Sequence, residues 1–143
     1  MLGGFFGSRL MKNIREEKGL TYGISSSINP LQKESIFLIG ADVGKDKLES
    51  AQSEISKEIK TLADIAVPKD ELEIAKNHFL GSLQLEVANP FSSLEKLKNI
   101  SLNNLHDQYY NNLFQSIKKE EPEHLRQIGE KYFLAPLFEV IVG

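Results

Sequence analysis

The chain has 143 residues, 41% of them hydrophobic and 26% charged, with a net charge of −3, which fits one globular domain with enough apolar material for a core. Lys and Arg are scattered among Asp and Glu, so no basic stripe exists to neutralise phosphates, and the apolar runs are too short to span a bilayer; nucleic-acid binding and a membrane span are excluded on these grounds. Cysteine is absent, which removes disulfides, thiolate metal sites and a Cys nucleophile and leaves the compartment open between cytoplasm and periplasm.

Phe6, Leu10 and Ile14 recur every four residues, with Leu2 one step earlier, and predict a helix from about Gly4 to Lys18. Leu2-Gly3-Gly4 has no cap or lead-in strand ahead of it, so the chain is expected to start inside a structural element, with sequence missing upstream; no basic stretch followed by an apolar run marks a targeting signal. Gly19 stands where a helix C-terminus wants a left-handed residue. Tyr22, Ile24 and Ile28 alternate with Thr21, Gly23, Ser25 and Ser27, a half-buried strand that a turn at Asn29-Pro30 would end. Ser35 to Val43 is apolar on both faces and reads as a central strand, antiparallel to the first.

Asp46 and Glu49 suggest a capping box ahead of a helix with Leu48, Ala51, Ile55, Ile59 and Leu62 on one face. Pro68 opens the next helix, carrying Leu72, Ala75, Phe79, Leu83 and Val87. Asn89-Pro90 caps and starts another, continued by Leu94 and Leu97, and Tyr109 to Ile117 marks a further one. Pro122 begins the last, with Leu125, Ile128 and Tyr132 inward and Pro136 as its stop. Leu137 to Val142 would close the sheet as a strand. The fold class is α+β: an antiparallel or mixed β-sheet with helices packed on one face, in a single domain over residues 1–143. Lys118-Lys119-Glu120-Glu121 reads as a solvated loop.

The usual chemistry-bearing motifs fail. None of His78, His106 and His124 has a histidine partner one helical turn away, and an inverted zincin site needs His-x-x-Glu-His. The nearest approach, Glu120 to His124, begins with Glu and carries Pro122, so no metal site is expected in this chain. Gly40 to Asp46 is one residue short of a phosphate loop and puts a carboxylate where a hydroxyl should hold magnesium. Gly3, Gly4 and Gly7 could admit a phosphate, but close packing against a neighbour is the favoured reading. No serine sits in a nucleophile elbow. Arg15, near a helix C-terminus, is explained by the helix dipole alone, and Tyr22 could be a core tyrosine.

What lifts Arg15 and Tyr22 is a resemblance. Leu2-Gly3-Gly4, Phe6, Ser8-Arg9-Leu10, Ile14-Arg15-Glu16, Gly19-Leu20 and Tyr22 meet every fixed position of the signature of the non-catalytic, C-terminal domain of pitrilysin/insulinase-type zinc peptidases (inverzincins), the group that includes mitochondrial processing peptidase. Asp70-Glu71-Leu72 with Ala75-Lys76, and Glu130-Lys131-Tyr132-Phe133 with Val140-Ile141-Val142-Gly143, extend the similarity more weakly along the chain. The family's domain carries a strand and part of a helix before the Leu-Gly-Gly, so the resemblance implies an N-terminally truncated domain.

The resemblance further implies the half of a protease site that lacks the metal, with zinc in a separate His-x-x-Glu-His domain or subunit. Tyr22 would donate to the oxyanion of the attacked peptide, and Arg15 would bind the substrate backbone near the scissile bond. Ser25, Ser26 and Ser27 are candidate substrate-binding residues by strand addition, against the plainer reading of an exposed strand face. Alone, the chain should be inactive, and a truncated domain should expose apolar surface and tend to dimerise. Two rivals stand beside this reading: a scaffold or partner subunit of the same family, and a free-standing binding module.

Overall fold

A computed structural model describes residues 1–31, 33–135 and 137–143. A short N-terminal helix (Met11–Glu17) is followed by two strands, β1 (Thr21–Pro30) and β2 (Ser35–Val43), and five helices: α1 (Leu48–Asp64), α2 (Lys69–Ala88), α3 (Pro90–Leu102), α4 (Tyr109–Lys119) and α5 (Pro122–Phe133). β1 and β2 form a two-stranded antiparallel sheet, paired from Thr21↔Val43 to Pro30↔Ser35. The N-terminal helix packs on β1 and α1, and α5 packs on α1. Phe133 at the end of α5 reaches Phe37 of β2, with ring centroids 5.1 Å apart. This is the expected α+β arrangement, with helices on one face of the sheet.

Between sheet and helices lies one apolar cluster of Leu2, Leu10, Ile14, Ile24, Ile59, Leu62, Val67 and Leu72. The N-terminal helix is shorter than its apolar spacing suggested. Leu2 to Ser8 instead folds back over β1: Leu10 N–H donates to the Leu2 carbonyl at 2.9 Å, and Ser26 N–H donates to the Gly3 carbonyl at 2.8 Å. Gly3 permits that approach, since a Cβ there would lie 2.7 Å from the Ser26 nitrogen. The helix itself is wide, with Lys18 N–H bonded to the Asn13 carbonyl five residues back at 3.1 Å. Gly19 ends it in the left-handed conformation, φ +58°, as expected.

Two ion-pair groups bind this N-terminal unit to the helices. Arg9 makes a two-pronged pair with Glu71 of α2, at 2.6 and 2.8 Å. Glu54 of α1 accepts from Lys18 at 2.5 Å and from the Asn13 amide at 3.0 Å. The Lys18 ammonium first, and the Asn13 amide second, hold the Glu54 carboxyl below the ordinary carboxylate range. A depressed native pKa contributes stability that is fully present above the unfolded value of about 4.3 and is lost as pH falls through the native one. Glu54→Gln is therefore expected to melt below the parent at pH 7 and to converge with it in acid; parallel melting curves from pH 7 to 2 would contradict the assignment.

Other expectations are corrected. β1 runs through Asn29-Pro30, and the turn lies beyond, closed by Leu31 N–H to the Glu34 carbonyl at 2.8 Å. β2 is not central: the sheet among the described residues has only β1 beside it, so its second apolar face, Ile36 and Leu38, stays largely exposed. Leu137 to Val142 forms no strand; it lies along a groove with β2 and α1, where the Gln52 amide donates to Glu139 at 2.7 Å. Asp46 caps nothing, because Lys45–Lys47 form a tight turn and α1 starts after Lys47 without a side-chain cap. Asn89 does cap α3, accepting from Phe91 N–H at 2.9 Å, behind Pro90. Phe79 and Val87 of α2 and Leu94 and Leu97 of α3 face outward although they follow helical apolar spacing. Pro136, the expected stop of α5, lies outside the described residues.

α5 packs Leu125 on the core, as expected, with Phe133 beside it, but turns Ile128 and Tyr132 outward. Tyr132 is exposed, and Gly129 is the buried contact. A Cβ on Gly129 would stand 2.7 Å from the Leu62 carbonyl oxygen and 3.1 Å from Ala63 Cα, both backbone atoms of α1. Gly129→Ala should force α5 off α1 and cost about 1–3 kcal/mol despite alanine's better helix propensity. Urea unfolding would check this: an unchanged or raised midpoint would mean that α5 sits further out.

Candidate functional site

Arg15 and Tyr22 reach the same place from different elements. Arg15 is in the last turn of the N-terminal helix, and its guanidinium lies over the Phe6 ring, 5.2 Å from the centroid. Tyr22 is the second residue of β1 and is 95% exposed. Both line a surface pocket of about 430 Å³ with Gly19, Leu20, Thr21, Asp42, Gly44, Asp46 and Lys47. The Lys47 ammonium crosses the pocket wall to the Gly19 carbonyl at 2.9 Å, tying the turn before α1 to the end of the N-terminal helix. Arg15 and Lys47 share the lining with Asp42 and Asp46, so it is balanced in formal charge.

The orientation of Tyr22 comes from a β-bulge. Thr21 pairs with Val43 and Ile24 with Ala41, so Tyr22 and Gly23 together oppose the single residue Asp42. Simple alternation would put Tyr22 on the same face as Ile24. The extra residue breaks the alternation: Thr21 and Ile24 are both buried, and Tyr22 is turned out. Tyr22 is thus not a core tyrosine. Gly23 was the sequence signal for this irregularity, since glycine inside a strand pattern often marks a bulge. Thr21 was hidden by the alternation, and no motif marked Lys47.

Ser25, Ser26 and Ser27 lie further along β1, outside the pocket lining. They oppose Gly40, Ile39 and Leu38 of β2. On the other edge of β1 the Ser26 N–H is already taken by Gly3, so an added peptide strand would have to displace Leu2-Gly3 there.

Among the described residues no three His, Asp or Glu side chains converge as a metal site. His78 stacks on Phe5 with centroids 4.6 Å apart, His106 Nδ1 accepts from Gln108 N–H at 3.1 Å, and His124 Nδ1 pairs with Glu120 at 2.5 Å. No helix of the described residues is long and apolar enough to cross a membrane.

Known proteins share the sequence and fold of this chain. The chain is 36% identical over 85 residues to an uncharacterized zinc protease of Rickettsia bellii, covering 59% of this chain and 20% of that protein. It is 29% identical over 96 residues to an uncharacterized zinc protease of Bacillus subtilis, covering 67% of this chain and 24% of that one. The crystal structure of a peptidase M16 inactive domain from Pseudomonas fluorescens superposes with a TM-score of 0.83 at 26% identity, over 91% of this chain and 31% of that one. The chain therefore spans about a fifth to a third of the proteins it matches. The family profile of the peptidase M16 inactive domain matches residues 1–79, and the chain belongs to that family. It is a non-catalytic domain of the zinc-metallopeptidase family.

Proposed function

We propose that this chain is the non-metal half of a zinc metalloendopeptidase, binding an extended peptide and bringing Arg15 and Tyr22 to an active site completed by a separate His-x-x-Glu-His domain. The observation that carries the reading is the convergence of Arg15 and Tyr22 on one pocket, with the phenol held outward by the bulge. A phenol is a neutral donor. Aimed at a peptide carbonyl, it favours the oxygen as negative charge builds during attack, and so acts more strongly in the transition state than in the ground state. The Arg15 guanidinium, steadied over Phe6, offers several N–H donors in a fixed plane to backbone carbonyls of the peptide. Zinc in the facing domain would supply a Lewis acid and an activated water.

The outer surface supports a covering partner. Phe91, Leu94, Leu97 and Leu102 of α3 are exposed, as are Phe138 and Val142 of the tail, both at 92%. Such apolar surface marks an interaction face. The decisive experiment is Tyr22→Phe in the complete peptidase, assayed for peptide hydrolysis and for thermal stability. Slower turnover in a normally folded protein supports the reading. Unchanged turnover removes Tyr22 from the chemistry and favours a scaffold subunit.

A further inference from the structure

We infer that Thr21 is the positioning residue for Tyr22, its hydroxyl holding the bulge that turns the phenol toward the peptide. This rests on the reading of Tyr22 as the oxyanion donor. Thr21 is buried, yet it carries a hydroxyl at the point where the ladder between β1 and β2 is interrupted. Its oxygen accepts the Gly23 N–H at 3.1 Å. Its single hydroxyl proton has two acceptors in reach, the Asp42 carbonyl at 2.5 Å and the Gly23 carbonyl at 2.9 Å. One side chain thus reaches the backbone on both sides of the bulge, that of Gly23, next to Tyr22, and that of Asp42 opposite. A residue of the same shape without the hydroxyl would leave the Gly23 N–H and the Asp42 carbonyl short of a partner. The bulge would then lose the bonds that fix its geometry, and Tyr22 would be held less firmly in its outward orientation.

The test is a set of four variants of the complete peptidase: Thr21→Val, Thr21→Ser, Tyr22→Phe and the double variant Thr21→Val with Tyr22→Phe. Thr21→Val is expected to lower kcat by about 10- to 100-fold, the scale of a misplaced catalytic group, with KM changed by less than about twofold. Thr21→Ser keeps the hydroxyl and should retain the parent kcat. In the Tyr22→Phe background, Thr21→Val should add no further loss, because the residue acts through the phenol. Parent-like kcat in Thr21→Val overturns the proposal, as does a Ser variant as slow as the Val variant, or additive losses in the double variant. If Thr21→Val does not fold, Thr21→Ala is read by the same criteria. The underlying reading fails separately, by an unchanged Tyr22→Phe.

Discussion

Tyr22→Phe in the complete peptidase is expected to lower kcat by about 100- to 1,000-fold, the usual cost of removing one oxyanion donor. The substitution deletes one oxygen and leaves the ring. At 95% exposure Tyr22 contributes little to the core, so stability should change by no more than about 0.5 kcal/mol, the range of surface substitutions. KM should move little, since the hydrogen bond gains its strength as the carbonyl oxygen becomes charged, not when the peptide first docks. Three readouts therefore separate the roles open to this tyrosine. Loss of kcat alone identifies a transition-state donor. A rise in KM alone identifies a docking contact. A lowered melting temperature with both intact would make Tyr22 structural, against its exposure.

The parts of this site that were legible in the sequence are those governed by local rules. Gly19 announced a left-handed helix end, and Asn89-Pro90 announced a capped helix start; both are decided within a few residues of chain. The helical face of Ala51, Ile59 and Leu62 followed from a 3.6-residue period and is buried as expected. The failures share one cause: a pattern shows which residues are apolar, not what covers them. β2 is apolar on both faces, yet in this chain helices cover only one of them. Leu94 and Leu97 follow helical spacing and still point outward. Tyr132 looked like one of the inward residues of α5, but close packing beside Leu125 selects Gly129, because only a residue without a side chain lets the α5 backbone approach Leu62. The bulge is the subtlest case. Alternation is a two-residue rule, and one inserted residue reverses every assignment on its far side. Tyr22 was thus placed in the site by resemblance, and its orientation came only with the register.

Leu10→Ala should produce the largest loss of stability among the substitutions discussed, about 2–5 kcal/mol, against a total of about 5–15 kcal/mol for a typical domain. Leu10 is fully buried, and its side chain packs so closely on Gly3 that a Cβ there would meet Leu10 Cδ1 at 3.0 Å. It stands between Leu2, which covers β1, and Ile14, one turn before the end of the N-terminal helix. Truncating it leaves a cavity where three separate pieces of chain meet, and those pieces cannot all collapse into it while the Ser26–Gly3 and Leu10–Leu2 backbone bonds hold them apart. The expected reading is a fall in melting temperature on the order of 10 °C by circular dichroism. Leu97→Ala is the control: an equal truncation at a side chain 61% exposed should shift the midpoint by no more than about 0.5 kcal/mol. If the two leucines cost the same, the N-terminal segment does not pack over β1, and the brace that sets Arg15 beside Tyr22 is absent. If Leu10→Ala alone lowers stability while Tyr22→Phe alone lowers turnover, the signature from Leu2 to Tyr22 divides into a packing half and a chemical half, joined at the pocket.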